Sequence, residues 1–294
     1  MNNEQQSFTT IVLGDIESYI YLCMKLRSRG FWSFRGQRSE KWSLGPHVFD
    51  EKELDDLGKD EISSLEAKYQ KKTRENLSIF RRYFIESPEF QFLQTRNNEW
   101  EWLFYAQHYG LKTPLLDWTS NPLVALYFAV ENTISSRDVH ESCGAVWALS
   151  VSDKRFIGID LNSDPPDKLI AESWAMVNPP PLIGVVPRLV RQSGKFTYHR
   201  EPHAIEDSLR AEDVLYKIVL HDHYQNINPA ERIRIQLAVM NIHHASLFPE
   251  PDNVTKYLNT QWRTIALKER QNEMVIINNR PNSKYIDAID QLNI

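Results

Sequence analysis

Residues 115–130 read LLDWTSNPLVALYFAV, and this stretch decides the fold. Asn121 followed by Pro122 is a typical helix start, because the Asn side chain caps the first turn and Pro is tolerated there. Residues 123–130 are apolar on nearly every side of such a helix. A helix without a polar face is buried in a protein core. We therefore predict a fold built around a buried helix that begins at Pro122.

The polar residues before this helix form the first candidate site. The first N–H groups of a helix have no partner within it, and the helix dipole adds partial positive charge there. Such an end can hold a phosphate or another anion. Thr119, Ser120 and Asn121 place two hydroxyls and an amide beside it. The alternative is that these three residues only cap the helix.

Asp117 is the one charged side chain in the stretch. It lies between Leu116 and Trp118, so we expect it to be buried. A buried carboxylate needs a partner, and Arg35 and His108 are the candidates. The alternative role for Asp117 is to fix a loop in place.

Two further segments carry polar residues that can bind a ligand. In residues 34–37 (FRGQ), Arg35 precedes a glycine, and its planar guanidinium suits bidentate binding of a phosphate or carboxylate. A salt bridge from Arg35 to Asp117 is the structural alternative. In residues 188–197 (RLVRQSGKFT), Gln192 is followed by a glycine and a predicted strand. A glutamine can hydrogen-bond a ribose hydroxyl or an amide, but it cannot act as a base.

The remaining patterns indicate an α+β fold: one domain whose mixed, or split, β-sheet carries peripheral helices. The spacing of apolar residues and the capping residues predict helices from Ile16 to Gly30, over 99–109 and from Pro229 to about Ile242. Short strands are predicted at 31–34, 145–149, 183–186, 195–198 and 216–220. A basic run on a probable helix comprises Lys68, Lys71, Lys72, Arg74, Arg81 and Arg82. It predicts either a solvated face or a surface that contacts phosphates.

Composition limits the function classes. The 294 residues carry 34 Lys and Arg against 39 Asp and Glu, so the net charge of -5 argues against one broad nucleic-acid-binding face. Two cysteines cannot form a disulfide framework and favour a reducing compartment. With no signal-like N-terminus and no long apolar run, we expect a cytoplasmic protein without a membrane segment. The chain has no His-Glu-x-x-His, Walker A or Gly-x-Ser-x-Gly motif, and we expect no metal.

Several segments together resemble the FRG domain, a family named for its Phe/Tyr-Arg-Gly motif. The matching residues are 34–37 with Trp42, Leu44 and Pro46, the block 106–111, Thr113, residues 115–119, residues 121–129, then Gln192, Gly194, Phe196 and Thr197, and finally Leu247-Phe248-Pro249 with Asp252. The resemblance predicts an FRG domain over 15–260 and a C-terminal extension over 261–294 that can pack on it. Pro114 stands where family members often carry Arg, so either that cationic contact is missing or Arg188 or Arg191 supplies it.

FRG domains are mostly uncharacterised, and an analogy supplies a functional hypothesis. ADP-ribosyltransferases place an early Arg or His, a Ser/Thr element before a helix, and a late Gln/Glu element in this order, as Arg35, Thr119-Ser120 and Gln192 do here. The analogy implies catalytic roles for Arg35, Asp117 and Gln192. Ligand-binding roles fall to Gln37, His108, Thr119, Ser120, Asn121 and Arg191.

The leading hypothesis is NAD-dependent ADP-ribosyl transfer to a macromolecule in a toxin-like protein of stress or phage defence. One alternative is a module that binds a nucleotide or nucleic acid without catalysis. Another is a protein-interaction domain in which a buried Arg35–Asp117–His108 network is structural.

Overall fold

The computed structural model describes residues 8–46, 59–87, 98–131, 144–157, 172–179, 187–201, 204–220, 229–259 and 289–291. In chain order the elements are β1 (Thr9–Leu13), α1 (Ile16–Ser28), β2 (Ser33–Gln37), α2 (Lys59–Phe84), α3 (Glu99–His108), β3 (Leu115–Thr119), α4 (Pro122–Val130), β4 (Ala145–Ser150), β5 (Phe156–Ile157), β6 (Trp174–Val177), α5 (Pro187–Arg191), β7 (Gly194–His199), β8 (Val214–Leu220), α6 (Pro229–Val239), α7 (His244–Leu247) and α8 (251–259). Short 3-10 helices lie at Asp153–Arg155 and Ile205–Asp207.

The chain divides into two compact units, and each has its own core. The first unit takes residues 1–9, 41–120 and 149–215, and the second takes residues 10–40, 121–148 and 216–294. No helix within the described residues is long and apolar enough to cross a membrane.

The first unit contains a mixed sheet in the order β3-β7-β6-β5. β3 pairs antiparallel with β7, β7 pairs antiparallel with β6, and β6 pairs parallel with β5. Aromatic side chains of α3 cover one face: Trp100 meets the Tyr198 ring edge-on at 5.5 Å between ring centres, and Phe104 lies 4.7 Å from Phe196. The mixed character of the predicted α+β sheet is thus confirmed.

A buried arginine holds the distal strands of this sheet together. Nε of Arg155 donates to Asp213 at 3.0 Å, and its Nη1 lies 3.1 Å from the Glu172 carboxylate. The guanidinium also lies over the Trp174 ring of β6, at 4.0 Å from its centre. Burial lowers the pKa of Arg155, and the charge of Asp213 opposes that shift. The ion pair therefore compensates for taking the arginine out of water.

The second unit packs its helices on strands in the order β1-β8-β4-β2. As predicted, α4 begins at Pro122 and is buried along most of its length, and the Asn121 side chain accepts a hydrogen bond from the Leu123 N–H at 3.0 Å. The Tyr19 hydroxyl of α1 donates to the Pro122 carbonyl at 2.7 Å, so two helices meet at this helix start. The predicted N-cap role of Asn121 is therefore confirmed.

Most predicted elements are present, with shifted boundaries. α1 begins at Ile16 as predicted, and the strands expected near 145–149, 195–198 and 216–220 are β4, β7 and β8. The strand expected at 31–34 is β2, which continues through Gln37. α6 ends at Val239, before the predicted Ile242. The strand predicted at 183–186 lies outside the described residues.

Gly36 allows β2 to lie directly against α4. A β-carbon at this position would stand 1.8 Å from the Ala125 carbonyl oxygen and 2.7 Å from the Ala129 nitrogen. Both contacts are backbone atoms of a buried helix, which cannot move aside as a flexible side chain can. The glycine of the Phe-Arg-Gly segment is therefore required by packing.

We predict that Gly36→Ala lowers the free energy of unfolding by about 3 kcal/mol, since overpacking a rigid core forces the backbone to shift. Urea denaturation followed by circular dichroism measures this loss. Gly45→Ala is the control, because its β-carbon would meet only the Ser43 hydroxyl at 3.8 Å. Equal stability of the two variants would contradict the packing requirement.

Candidate functional site

The candidate site of the first unit is formed where the end of β3 meets the turn before β7. In the antiparallel register, Thr119 lies opposite Gly194. The Thr119 hydroxyl donates to the Gln192 carbonyl at 2.6 Å, and the Ser120 N–H donates to the Ser193 carbonyl at 3.0 Å. The pairing thus brings together three residues that the sequence predicts for the site, Thr119, Ser120 and Gln192.

The prediction that Asp117 is buried is wrong, because this residue is exposed. Asp117 lies on β3 between buried neighbours, yet it faces the end of α3, which stops at His108. The last turn of α3 therefore reaches the carboxylate but leaves it open to solvent. The structural role predicted for Asp117 together with Arg35 and His108 stays a prediction.

An amide side chain holds the Asp117 carboxylate in place. Gln107 donates from Nε2 to Asp117 Oδ1 at 2.9 Å, and the hydroxyl of Thr113 donates to Gln107 Oε1. Because the buried Thr113 fixes the amide, its NH₂ group points at the carboxylate. Asp117 is therefore an exposed carboxylate with a fixed orientation. This suits a side chain that binds a ligand.

The opposite face of β3 carries a buried polar chain. Trp118 donates from its indole N–H to the Thr197 hydroxyl at 3.1 Å, and that hydroxyl lies 3.0 Å from Nε2 of His199. All three side chains are buried. Trp118 is thus a core residue, and the chain ties β3 to β7 from the side away from Asp117.

Three other side chains of the first unit follow residues of the site in the sequence or precede them. His108 is half-buried and meets the Tyr109 ring edge-on at 5.1 Å, while Tyr109 is 54% exposed. Arg191 is exposed at the end of α5, directly before Gln192. Gln107 and Tyr109 are the neighbours that sequence reasoning did not select, although both lie in the block 106–111.

The remaining predicted site residues belong to the second unit. Arg35 is half-buried and lies within β2, because this strand continues past the predicted end at residue 34. Gln37 is only 4% exposed, and its Oε1 accepts a 2.7 Å hydrogen bond from the indole N–H of Trp147. That oxygen is engaged within the core. The ligand-binding roles of Gln37 and Asn121 and the catalytic role of Arg35 stay predictions.

Residues 31–138 match the family model of the FRG domain. The chain contains an FRG domain. Searches among curated proteins and among solved structures found no match. The matched range includes β2, α3, β3 and α4, whereas Gln192 and β7 follow it. The wider bounds, 15–260 with an extension over 261–294, stay a prediction.

The candidate site of the first unit offers the carboxylate of Asp117, the amide of Gln107 and the hydroxyl of Thr119, and Arg191 adds an exposed guanidinium next to Gln192. Among the described parts of the chain, no three His, Cys, Asp or Glu side chains cluster as a metal site requires. This set of groups can bind a polyhydroxylated or phosphorylated ligand by hydrogen bonds and charge.

We predict that Thr119→Val destabilises the FRG domain by about 1–3 kcal/mol, because the Gln192 carbonyl loses its donor in a partly buried place. Thermal denaturation measures the effect. Ser120→Ala is the matched control, since its hydroxyl bond is long at 3.5 Å and its backbone N–H keeps the bond to Ser193. An equally large loss of stability in Ser120→Ala would show that the Thr119 hydroxyl has no special role.

Proposed function

We propose that the FRG domain binds NAD at the face around Asp117 and transfers its ADP-ribose to a macromolecule. The observation that supports this proposal is the Asp117 carboxylate, which is exposed and oriented by Gln107. The site predicted from the sequence lacked a carboxylate in its late element, since Gln192 is uncharged. Asp117 is the negative charge that such a reaction needs.

Ribose recognition is the first step that these residues support. A carboxylate has about four lone-pair sites and can accept hydrogen bonds from both hydroxyls of a ribose while it also accepts one from Gln107. Tyr109 offers an exposed aromatic ring beside His108 for a flat base. Arg191 provides an exposed cation for the pyrophosphate.

Breaking of the bond between nicotinamide and ribose is the second step. The electron pair of this C–N bond leaves with nicotinamide, and positive charge develops on the ribose ring. A fixed negative charge near that ring stabilises the transition state, and we assign this role to Asp117. The acceptor nucleophile then bonds to the ribose carbon and releases its proton to solvent.

The hydroxyl side chains have a more limited role in this scheme. The Thr119 hydroxyl already donates its hydrogen to the Gln192 carbonyl, so it can only accept from a ligand. His108 and Ser120 are half-buried, at the end of α3 and just after β3. We assign them to positioning the ligand, and Gln192 to a neutral hydrogen bond with it.

The experiment is incubation of the purified protein with NAD, with and without cellular RNA and protein, followed by mass spectrometry. We expect free nicotinamide and ADP-ribose adducts. Asp117→Asn should slow nicotinamide release by about 10²-fold or more, because removal of one preorganised electrostatic group has an effect of that size. The same assay of Arg35→Ala tests the catalytic role predicted for Arg35.

Asp207→Asn is the matched control, as Asp207 is another exposed acid of the first unit. It should release nicotinamide at the original rate. A raised melting temperature with NAD, but no release, would overturn the transfer and favour a nucleotide-binding module. The absence of both nicotinamide release and a raised melting temperature would contradict the proposal as a whole. A place in stress or phage defence stays a prediction.

A further inference from the structure

The helix α2 has a packed inner face. Five of its residues, spaced three or four positions apart, line that face: Gln70, Thr73, Leu77, Phe80 and Phe84. Gln70 donates from Nε2 to the Arg200 carbonyl at 3.1 Å, and Leu77 is buried in the aromatic core under α3. The opposite side of α2 is therefore left to solvent.

The outer face of α2 carries an excess of positive charge. Lys68, Lys71, Lys72 and Arg82 are exposed, and they lie on one side because helical residues three, four and seven apart share a face. Glu75 and Glu86 are the exposed acids among them. This excess stands out in a chain whose net charge is -5.

Three of these cations have no ion pair within the described residues. Lys72 lies 3.8 Å from the Glu75 carboxylate, whereas Lys68, Lys71 and Arg82 have no acidic partner there. Lys68 and Arg82 stand about 21 Å apart along the helix axis, from a rise of about 1.5 Å per residue. Unpaired positive charge spread over this length complements the negative charge of a phosphodiester backbone.

An exposed aromatic ring lies on the same face. Tyr83 is 81% exposed, and Ile79 one turn before it is 41% exposed. A tyrosine ring held away from its own protein offers a surface on which an unpaired base can stack. Bases inside a duplex are already stacked on each other, so this ring selects for single strands.

We propose that the outer face of α2 binds a single-stranded nucleic acid. Lys68, Lys71 and Arg82 contact phosphates along the strand, and Tyr83 stacks on one base. A membrane surface suits this helix less well. Its broad apolar face is packed inward, and Ile79 and Tyr83 alone are too small for an interfacial anchor.

This inference does not rest on NAD binding, because it concerns a different face of the first unit and is tested by binding alone. RNA binding without nicotinamide release would leave the inference standing and overturn only the transfer reaction. Nicotinamide release without RNA binding would support the transfer reaction and overturn this inference.

The experiment measures the affinity of the full chain for a fluorescently labelled single-stranded RNA across a series of salt concentrations. The triple variant Lys68→Gln/Lys71→Gln/Arg82→Gln should make the slope of log affinity against log salt shallower by about 2, because each phosphate that the protein neutralises contributes about 0.7 to that slope. Tyr83→Ala should weaken binding about tenfold, and Tyr83→Phe should restore it, since stacking needs the ring and not the hydroxyl.

Arg29→Gln/Lys154→Gln/Lys256→Gln is the matched control triple, because it removes the same number of exposed cations away from α2. An unchanged salt slope in the control supports the proposal. Equal changes of slope in the two triples would overturn it, because they would show an effect of net charge alone. Equal affinity for a duplex, or binding to anionic phosphatidylserine vesicles but not to RNA, would also overturn it.

Discussion

The antiparallel pairing of β3 with β7 is the interaction on which the candidate site depends. It places Thr119 beside the turn at 192–193, where one hydroxyl and one backbone N–H join segments far apart in sequence. On one face the same pairing supports the aromatic packing of α3, and on the other it carries the buried chain from Trp118 to His199. The strand is therefore fixed from both sides, and the direction of the Asp117 side chain is fixed with it.

The FRG residues fall into two groups with different physical roles. Gly36, Gln37 and Asn121 are used within the second unit: Gly36 by close backbone packing, Gln37 by its bond to Trp147, and Asn121 as a helix cap. Asp117 is different, since it is exposed and its carboxylate accepts a hydrogen bond from Gln107. An exposed charged side chain with a set orientation is a better candidate for ligand binding than a buried one.

Local sequence signals predicted the helices better than the site. The start of α4 follows from Asn121 and Pro122, because capping is a matter of adjacent residues. β3 was not predicted, since four of its five residues are buried and the alternation typical of a half-exposed strand is absent. The exposure of Asp117 depends on where α3 ends in space, and the bond from Trp147 to Gln37 joins residues 110 positions apart. Neither is visible in a short stretch of sequence.

The most direct test of the central claim, that Asp117 binds the ribose of a nucleotide, is a crystal structure of the protein with ADP-ribose. We expect a ribose hydroxyl within roughly 2.5–3.0 Å of the Asp117 carboxylate, which is the range for O–H···O hydrogen bonds. Gln107 should still donate to the same carboxylate. Ligand density at another place, with the Asp117 face occupied only by solvent, would contradict the claim.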